Sequence, residues 1–180
     1  MYDPEIRLIL KQHYSNKLLV DEVNVGRSRI DLIDLSSELH GIEIKSEHDN
    51  FTRLKRQMKN YNKYFSKISI AVHESKEKEV FEHVPHFWGI LVIYNNKTVV
   101  EKRQPLPNPY CNKSLILTLL WKEELVNILS NRCRVSSTGR YSQLPKWRLL
   151  KLLQKEVDLL NIIDLVRSQL VERHAKGNWR

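Results

Sequence analysis

Two short segments decide how this chain is read: SRIDLIDL, residues 28–35, and HGIEIKSE, residues 40–47. Each alternates apolar and polar residues with period two, Ile30 and Leu32 around Asp31 in the first, Ile42 and Ile44 around Glu43 and Lys45 in the second, which predicts two strands. Ser36, Ser37, Glu38 and Leu39 close them into an antiparallel hairpin. Side chains two apart on a strand point to one face, so Glu43 and Lys45 share a side of the sheet. Asp31 joins them only in an even register, opposite Lys45 or Glu43; a slip of one residue sends it to the other face. We take the even register.

Two carboxylates held side by side repel unless a cation lies between them, and a site of oxygen ligands with room for water suits Mg2+. A lysine beside that ion can hold a phosphate oxygen or steer the attacking water, whose pKa the metal lowers. Phosphodiester hydrolysis uses all three groups. The competing reading is a surface hairpin with a glutamate and a lysine on its solvated face; the rest of the chain argues against it.

The pattern resembles the PD-(D/E)XK nuclease superfamily: Asp31 on one strand, Glu43-Ile44-Lys45 on the next, Glu22 upstream, and Gln57 and Tyr61 on the following helix in a Q-x-x-x-Y spacing similar to that of lambda-exonuclease and RecB-type members. DEVNVGRSRIDLIDL, LHGIEIKSEHDNFTRLKRQMKNY and VPHFWGILV resemble small bacterial and prophage proteins of this superfamily, over roughly residues 1–94. Where the superfamily has a proline before the aspartate, this chain has Ile30, which is not a ligand position. The resemblance implies an α/β fold with a restriction-endonuclease-like core (helix, three strands, helix, strand, in a mixed sheet) and here a C-terminal helical extension. It implies a metal held by Asp31, Glu43 and the backbone carbonyl of Ile44 with support from Glu22. Mg2+ would be the cofactor, with Mn2+ able to substitute. It assigns catalytic roles to Asp31, Glu43, Lys45 and Gln57, and products with 5'-phosphate and 3'-hydroxyl ends.

At 180 residues the chain can bury a core and suits one domain, or one plus a small appendage. Cys111 and Cys133 have no metal-like spacing and do not make a disulfide framework, which points to a reducing compartment. The longest apolar runs are too short to span a bilayer and no signal-peptide pattern opens the chain, so a cytoplasmic protein with no membrane partner is expected. The net charge of +9 is uneven: residues 1–100 carry 15 Lys and Arg against 14 Asp and Glu, residues 101–180 carry 15 against 7. A basic half beside a near-neutral half with clustered acids suggests a polyanion lying across the former with its phosphate offered to the latter. DNA is the expected partner, RNA the alternative, and a homo-oligomer is left open.

Along the chain, residues 3–17 read as an amphipathic helix with Asp3 as N-cap and Pro4 in its first turn. Gly26 makes a turn in which Arg27 and Arg29 can grip a phosphate. A helix is expected from Asn50 to Ser66, with a stripe of Phe51, Leu54, Met58, Tyr61 and Phe65 and a basic cover that includes Lys55 and Lys59. Gln57 falls at the edge of the stripe; Tyr61 lies within it, where an aromatic is more often core than contact, yet it is kept among the nucleic-acid-binding candidates. Strands follow at 67–73 and 88–94 around a charged helix, then an edge strand at 98–103. The expected division is a nuclease-like core over 1–104, a proline-rich connector over 105–113, and a basic helical region over 114–180 with helices near 114–131, 145–158 and 162–174. Between the first two of these, RCRVSSTGRYSQLPKWR offers Arg140, Lys146 and Arg148 as further contacts, in an arrangement distantly similar to SAP-like helical pairs. No phosphate-binding G-x-x-x-x-G-K-[ST] loop, G-x-S-x-G or H-E-x-x-H occurs. The function expected is Mg2+-dependent hydrolysis of DNA, a deoxyribonuclease; the alternative is a nuclease-fold protein that binds DNA or a partner without cleaving.

Overall fold

A computed structural model describes residues 1–132, 141–158 and 161–179. The chain forms two compact units, Met1–Cys111 and Asn112–Arg180. The first is α/β. Helix α1 (Asp3–His13) precedes strands β1 (Leu19–Val25), β2 (Ser28–Asp34) and β3 (His40–Lys45), then α2 (Leu54–Tyr61), β4 (Lys67–His73), α3 (Glu77–His83), β5 (Gly89–Ile93) and β6 (Val99–Arg103). The six strands lie in sequence order in one mixed sheet. β1, β2 and β3 are successively antiparallel, β3, β4 and β5 parallel, and β6 antiparallel to β5.

The period-two pattern sorts the buried residues onto two faces. Leu32, Ile42, Ile44, Ala71, Leu91 and Ile93 pack beneath Ile6, Ile9 and Leu10 of α1. The alternate positions carry Glu43 beside Ile70 and Lys45 beside Val72, with Ile90 and Val92 one strand further in. The two charged side chains therefore stand among aliphatic neighbours. On this face a Cβ on Gly41 would come within 2.8 Å of the Phe65 ring, so glycine is what lets that aromatic lie on the sheet. The β1–β2 turn is closed by Gly26 and Arg27 between paired Val25 and Ser28, with Gly26 at φ +58°, as a primed two-residue hairpin requires.

Four local expectations change. Helix α1 starts one residue early: the Glu5 carboxylate accepts the Tyr2 N–H, and Asp3 turns to Arg7 instead of capping. Helix α2 is confined to Leu54–Tyr61 because side chains compete for the backbone before it: Asp49 accepts from Ser46 N–H and Oγ, and Asn50 from Thr52 N–H. The proline-rich stretch is not a free connector. Asn108 is buried and donates to the carbonyls of Asn62 and Phe65, and Leu106 N–H reaches Phe87, so the chain to Cys111 belongs to the first unit.

In the second unit the helix expected over 114–131 is broken. A short α4 (Lys113–Ile116), capped by Asn112, runs through a 3-10 turn to Leu120, whose extended backbone (ψ 143°) ends it. A new helix, α5 (Lys122–Arg132), begins where Glu124 accepts the Trp121 N–H. Helices α6 (Lys146–Glu156) and α7 (Ile162–Ala175) follow. Arg173 locks this unit: its guanidinium donates to both Glu124 carboxylate oxygens and to Leu119 O, and lies 4.1 Å from the Trp121 ring. Among the described residues no helix is long and apolar enough to cross a membrane.

Candidate functional site

β2 and β3 pair through Asp34–His40, Ile33–Gly41 and Leu32–Ile42, and then part. This is the even register, and it sets Asp31 level with Glu43. Where the strands part, Asp31 Oδ2 accepts the Ile44 N–H at 2.7 Å, a carboxylate standing in for a ladder bond. Glu43 is 1 % exposed. Its Oε1 receives Lys45 Nζ at 2.6 Å and Gln57 Nε2 at 2.6 Å, and Lys45 Nζ lies 3.5 Å from Gln57 Oε1. The structure thus brings Asp31, Glu43, Ile44, Lys45 and Gln57 together at the end of the β2–β3 ladder.

The charges at this place are incompletely balanced. Burial, and then the neighbouring Glu43 charge, push the Asp31 carboxyl up to about 7, against the opposing pull of the Ile44 N–H and Lys45. The second oxygen of Glu43, Oε2, is buried with no hydrogen-bond partner among the described residues. A buried carboxylate oxygen without a donor is costly unless something else meets it. A carboxyl whose proton affinity is raised by burial and by its neighbour, and an open oxygen on that neighbour, are a donor set that a hard divalent cation fits, with the Ile44 carbonyl as a third oxygen.

Sequence reasoning missed Arg7. From α1 its Nη1 donates to Asp31 O at 2.8 Å, and its guanidinium lies 3.6 Å from Asp31 Oδ1, 3.0 Å from Asp3, 3.5 Å from Asp21 and 3.8 Å from Glu22. Burial works against its charge, but Asp3, Asp31 and Asp21 outweigh burial and raise its pKa. The i, i+4 spacing to Asp3 marks Arg7 as a helix-surface ion pair; nothing in it points to a strand 24 residues away.

Glu22 does not complete the acid set. It lies on β1 between Asp21 and Val23, whose partners on β2 are Leu32 and Ile30, at φ +52°, and its half-exposed carboxylate is taken by Arg29 at 3.2 Å and Arg7. Among the described residues no three His, Cys, Asp or Glu side chains gather as a metal-binding group. Tyr61 is corrected from contact to core: it is 0 % exposed and its hydroxyl donates to Arg29 O at 2.6 Å. Burial first, then the charges of Glu43 and Asp31, raise its phenol pKa beyond the ordinary tyrosine range. Arg27, Lys55 and Lys59 are exposed, and Arg29 is exposed but paired to Glu22. In the second unit Arg148 is exposed, whereas Lys146 donates to Thr118 O at 3.0 Å and its pKa is lowered by burial and by Arg173. Arg140 lies outside the described residues.

Fold and site together define an α/β protein whose mixed sheet carries a buried acid pair and lysine where two strands diverge. The chain belongs to the family of bacteriophage P4 protein cII, whose family model matches residues 6–178. It is 26% identical over 177 residues to protein cII of Enterobacteria phage P4. That alignment covers 95% of this chain and 65% of the phage protein, so the chain spans just under two thirds of its relative's length. Among solved structures, a protein of unknown function from Silicibacter pomeroyi is similar with a TM-score of 0.47 and 19% identity, over 64% of this chain and 77% of that one. At that level the likeness fixes neither fold nor function.

Proposed function

We propose that this phage-family protein is a metal-dependent deoxyribonuclease built on a restriction-endonuclease-like, PD-(D/E)XK core. The observation that carries the proposal is the buried, unpartnered Glu43 Oε2 beside an Asp31 carboxyl whose pKa is driven up by burial and by Glu43. Asp31, Glu43 and the Ile44 carbonyl would hold Mg2+ or Mn2+. Bound there, the ion supplies a Lewis acid and a more acidic water.

The chain's own groups have separable tasks. Glu43 Oε1 and Gln57 Oε1 fix the Lys45 ammonium, which then holds a phosphate oxygen or the attacking water at a defined place. Gln57 Nε2 pins the Glu43 rotamer that leaves Oε2 turned away from the lysine. Arg7 steadies Asp31 through its carbonyl and offers positive charge at the rim. Labelled duplex, single-stranded, nicked and branched DNA, with tRNA alongside, are to be incubated with and without Mg2+ or Mn2+. Metal-stimulated cleavage of DNA is expected; DNA binding with no metal-stimulated cleavage of any form would refute the proposal.

Arg7 favours a second reading. A guanidinium already lies between Asp31 and Glu22, as it would in a protein that kept this core for binding DNA or a partner and lost the chemistry. A calorimetric Mn2+ titration separates the two. The nuclease reading expects a saturable site that Glu43→Gln removes; the binding reading expects none in either protein.

A further inference from the structure

Helix α6 presents one face that is exposed among the described residues. At 3.6 residues per turn, Leu149 and Leu153 point to one side, and both are fully buried. Lys151 stands at the centre of the opposite side, flanked by Trp147, Arg148, Gln154 and Lys155, all exposed. The Trp147 indole is 65% exposed. Residues 145–155 contain four Lys and Arg and no acid. The second unit's described ion pairs are Arg167–Asp164, Arg173–Glu124 and Lys176–Glu172, and Arg148, Lys151 and Lys155 are in none of them. From Trp147 to Lys155 the stripe is about 12 Å long at 1.5 Å per residue.

From this we infer that the outer face of α6 is a binding surface for single-stranded nucleic acid, on which Trp147 stacks an unpaired base and Arg148, Lys151 and Lys155 hold the phosphates. An exposed flat ring bordered by uncompensated cations matches a polymer that carries both π-faces and regular negative charge. A duplex hides its base faces and would use only the cations. A membrane surface fits less well: the apolar side of α6 is buried in the protein, and its outer side has one large apolar group, not the broad face that interfacial helices insert. This inference shares with the nuclease proposal only the class of partner.

The test uses the full chain in a chelator, where metal-dependent cleavage does not run. Fluorescence anisotropy measures binding of a labelled oligothymidylate and of a duplex of equal length, with circular dichroism checking that each variant is folded. Trp147→Ala should weaken single-strand binding about tenfold or more, the loss of one stacked base. Trp147→Phe should keep most of the affinity, and the duplex should be little changed by either. Lys151→Gln and Lys155→Gln should each flatten the log–log salt dependence by roughly 0.7. The inference falls if Trp147→Ala leaves single-strand binding unchanged or weakens the duplex equally. It falls too if the wild type prefers phosphatidylserine vesicles to the oligonucleotide. Single-strand binding that depends on Trp147 in a protein that cleaves nothing would sustain it while removing the nuclease proposal.

Discussion

Asp31 and Asp34 sit three residues apart on one strand and live under opposite electrostatic regimes. Asp34 is 4% exposed, but Lys17 lies 2.8 Å from one oxygen and the Ser36 N–H 2.9 Å from the other. Burial alone would raise its pKa; those donors outweigh burial and hold it below the usual carboxylate range. Asp31 also has a backbone donor and a nearby guanidinium, yet burial and Glu43 win and lift it to about 7. The fold can satisfy a buried acid completely, and at Asp34 it does. At Asp31 and Glu43 the same sheet leaves one carboxyl lifted and one carboxylate oxygen without a hydrogen-bond partner among the described residues, the contrast on which the proposed site rests.

The largest expected break in this comparison is catalytic. On the nuclease proposal, Lys45→Ala should lower metal-stimulated cleavage by on the order of 10^2 or more, because it would remove a charge that holds the reacting phosphate or the attacking water. Lys17→Ala, which removes the cation serving Asp34, should leave cleavage unchanged when both variants are assayed on the same substrate. Asp34→Ala should cost stability instead, about 2 kcal/mol, since Lys17 is a third exposed and keeps part of its hydration. Urea denaturation reads this directly.

A pH series sharpens the contrast further. In chelator, native Asp31 holds a proton up to about 7, while the unfolded chain releases it near 4. Between those values the native state binds the extra proton, so the Asp31 contribution to stability falls as pH rises through the window. Asp31→Asn removes that dependence, and the wild-type minus variant difference should decline from pH 4 to 7; parallel curves would contradict the assignment. The smallest effect is expected from Arg7→Ala. It should lower stability in chelator by about 1 kcal/mol, and Mn2+ should restore more of the loss than it adds to the wild type, as thermal melts with and without the ion would show.

Most of the sheet was legible because its signals are local. Alternation at 28–35 and 40–47 fixes which side chains share a face within each strand; the even register between the strands is an assumption, and the Leu32–Ile42 pairing bears it out. Glu43 and Lys45 were legible as neighbours because of that alternation; Asp31 rested on the assumed register, and Gln57 on its place at the edge of the helix stripe and on the Q-x-x-x-Y resemblance. Arg7 was not, because its partners on β1 and β2 are set by how α1 crosses the sheet, which no short spacing encodes. Tyr61 stood at the boundary between core and contact, and the Arg29 carbonyl waiting for its hydroxyl decided the matter. The helix ends at Leu54 and Leu120 turned on side-chain competition at Asp49 and Asn50 and on the Glu124 cap, each weaker than the apolar periodicity that ran through them. Asn108 made the proline-rich stretch part of the first unit through two carbonyls more than forty residues away in sequence.

Because the Ile44 amide donates to Asp31 Oδ2 beyond the last paired residues of the β2–β3 ladder, its proton is a native spectroscopic reporter of the carboxyl's ionisation. In a nitrogen-15 correlation spectrum that one cross-peak should travel with the titration of Asp31 while those of Ile33 and Gly41, a step back along the same ladder, stay put. A cation drawing the carboxylate toward itself would shift the same peak, so a single backbone resonance can follow protonation and ion capture without any label on the ligand.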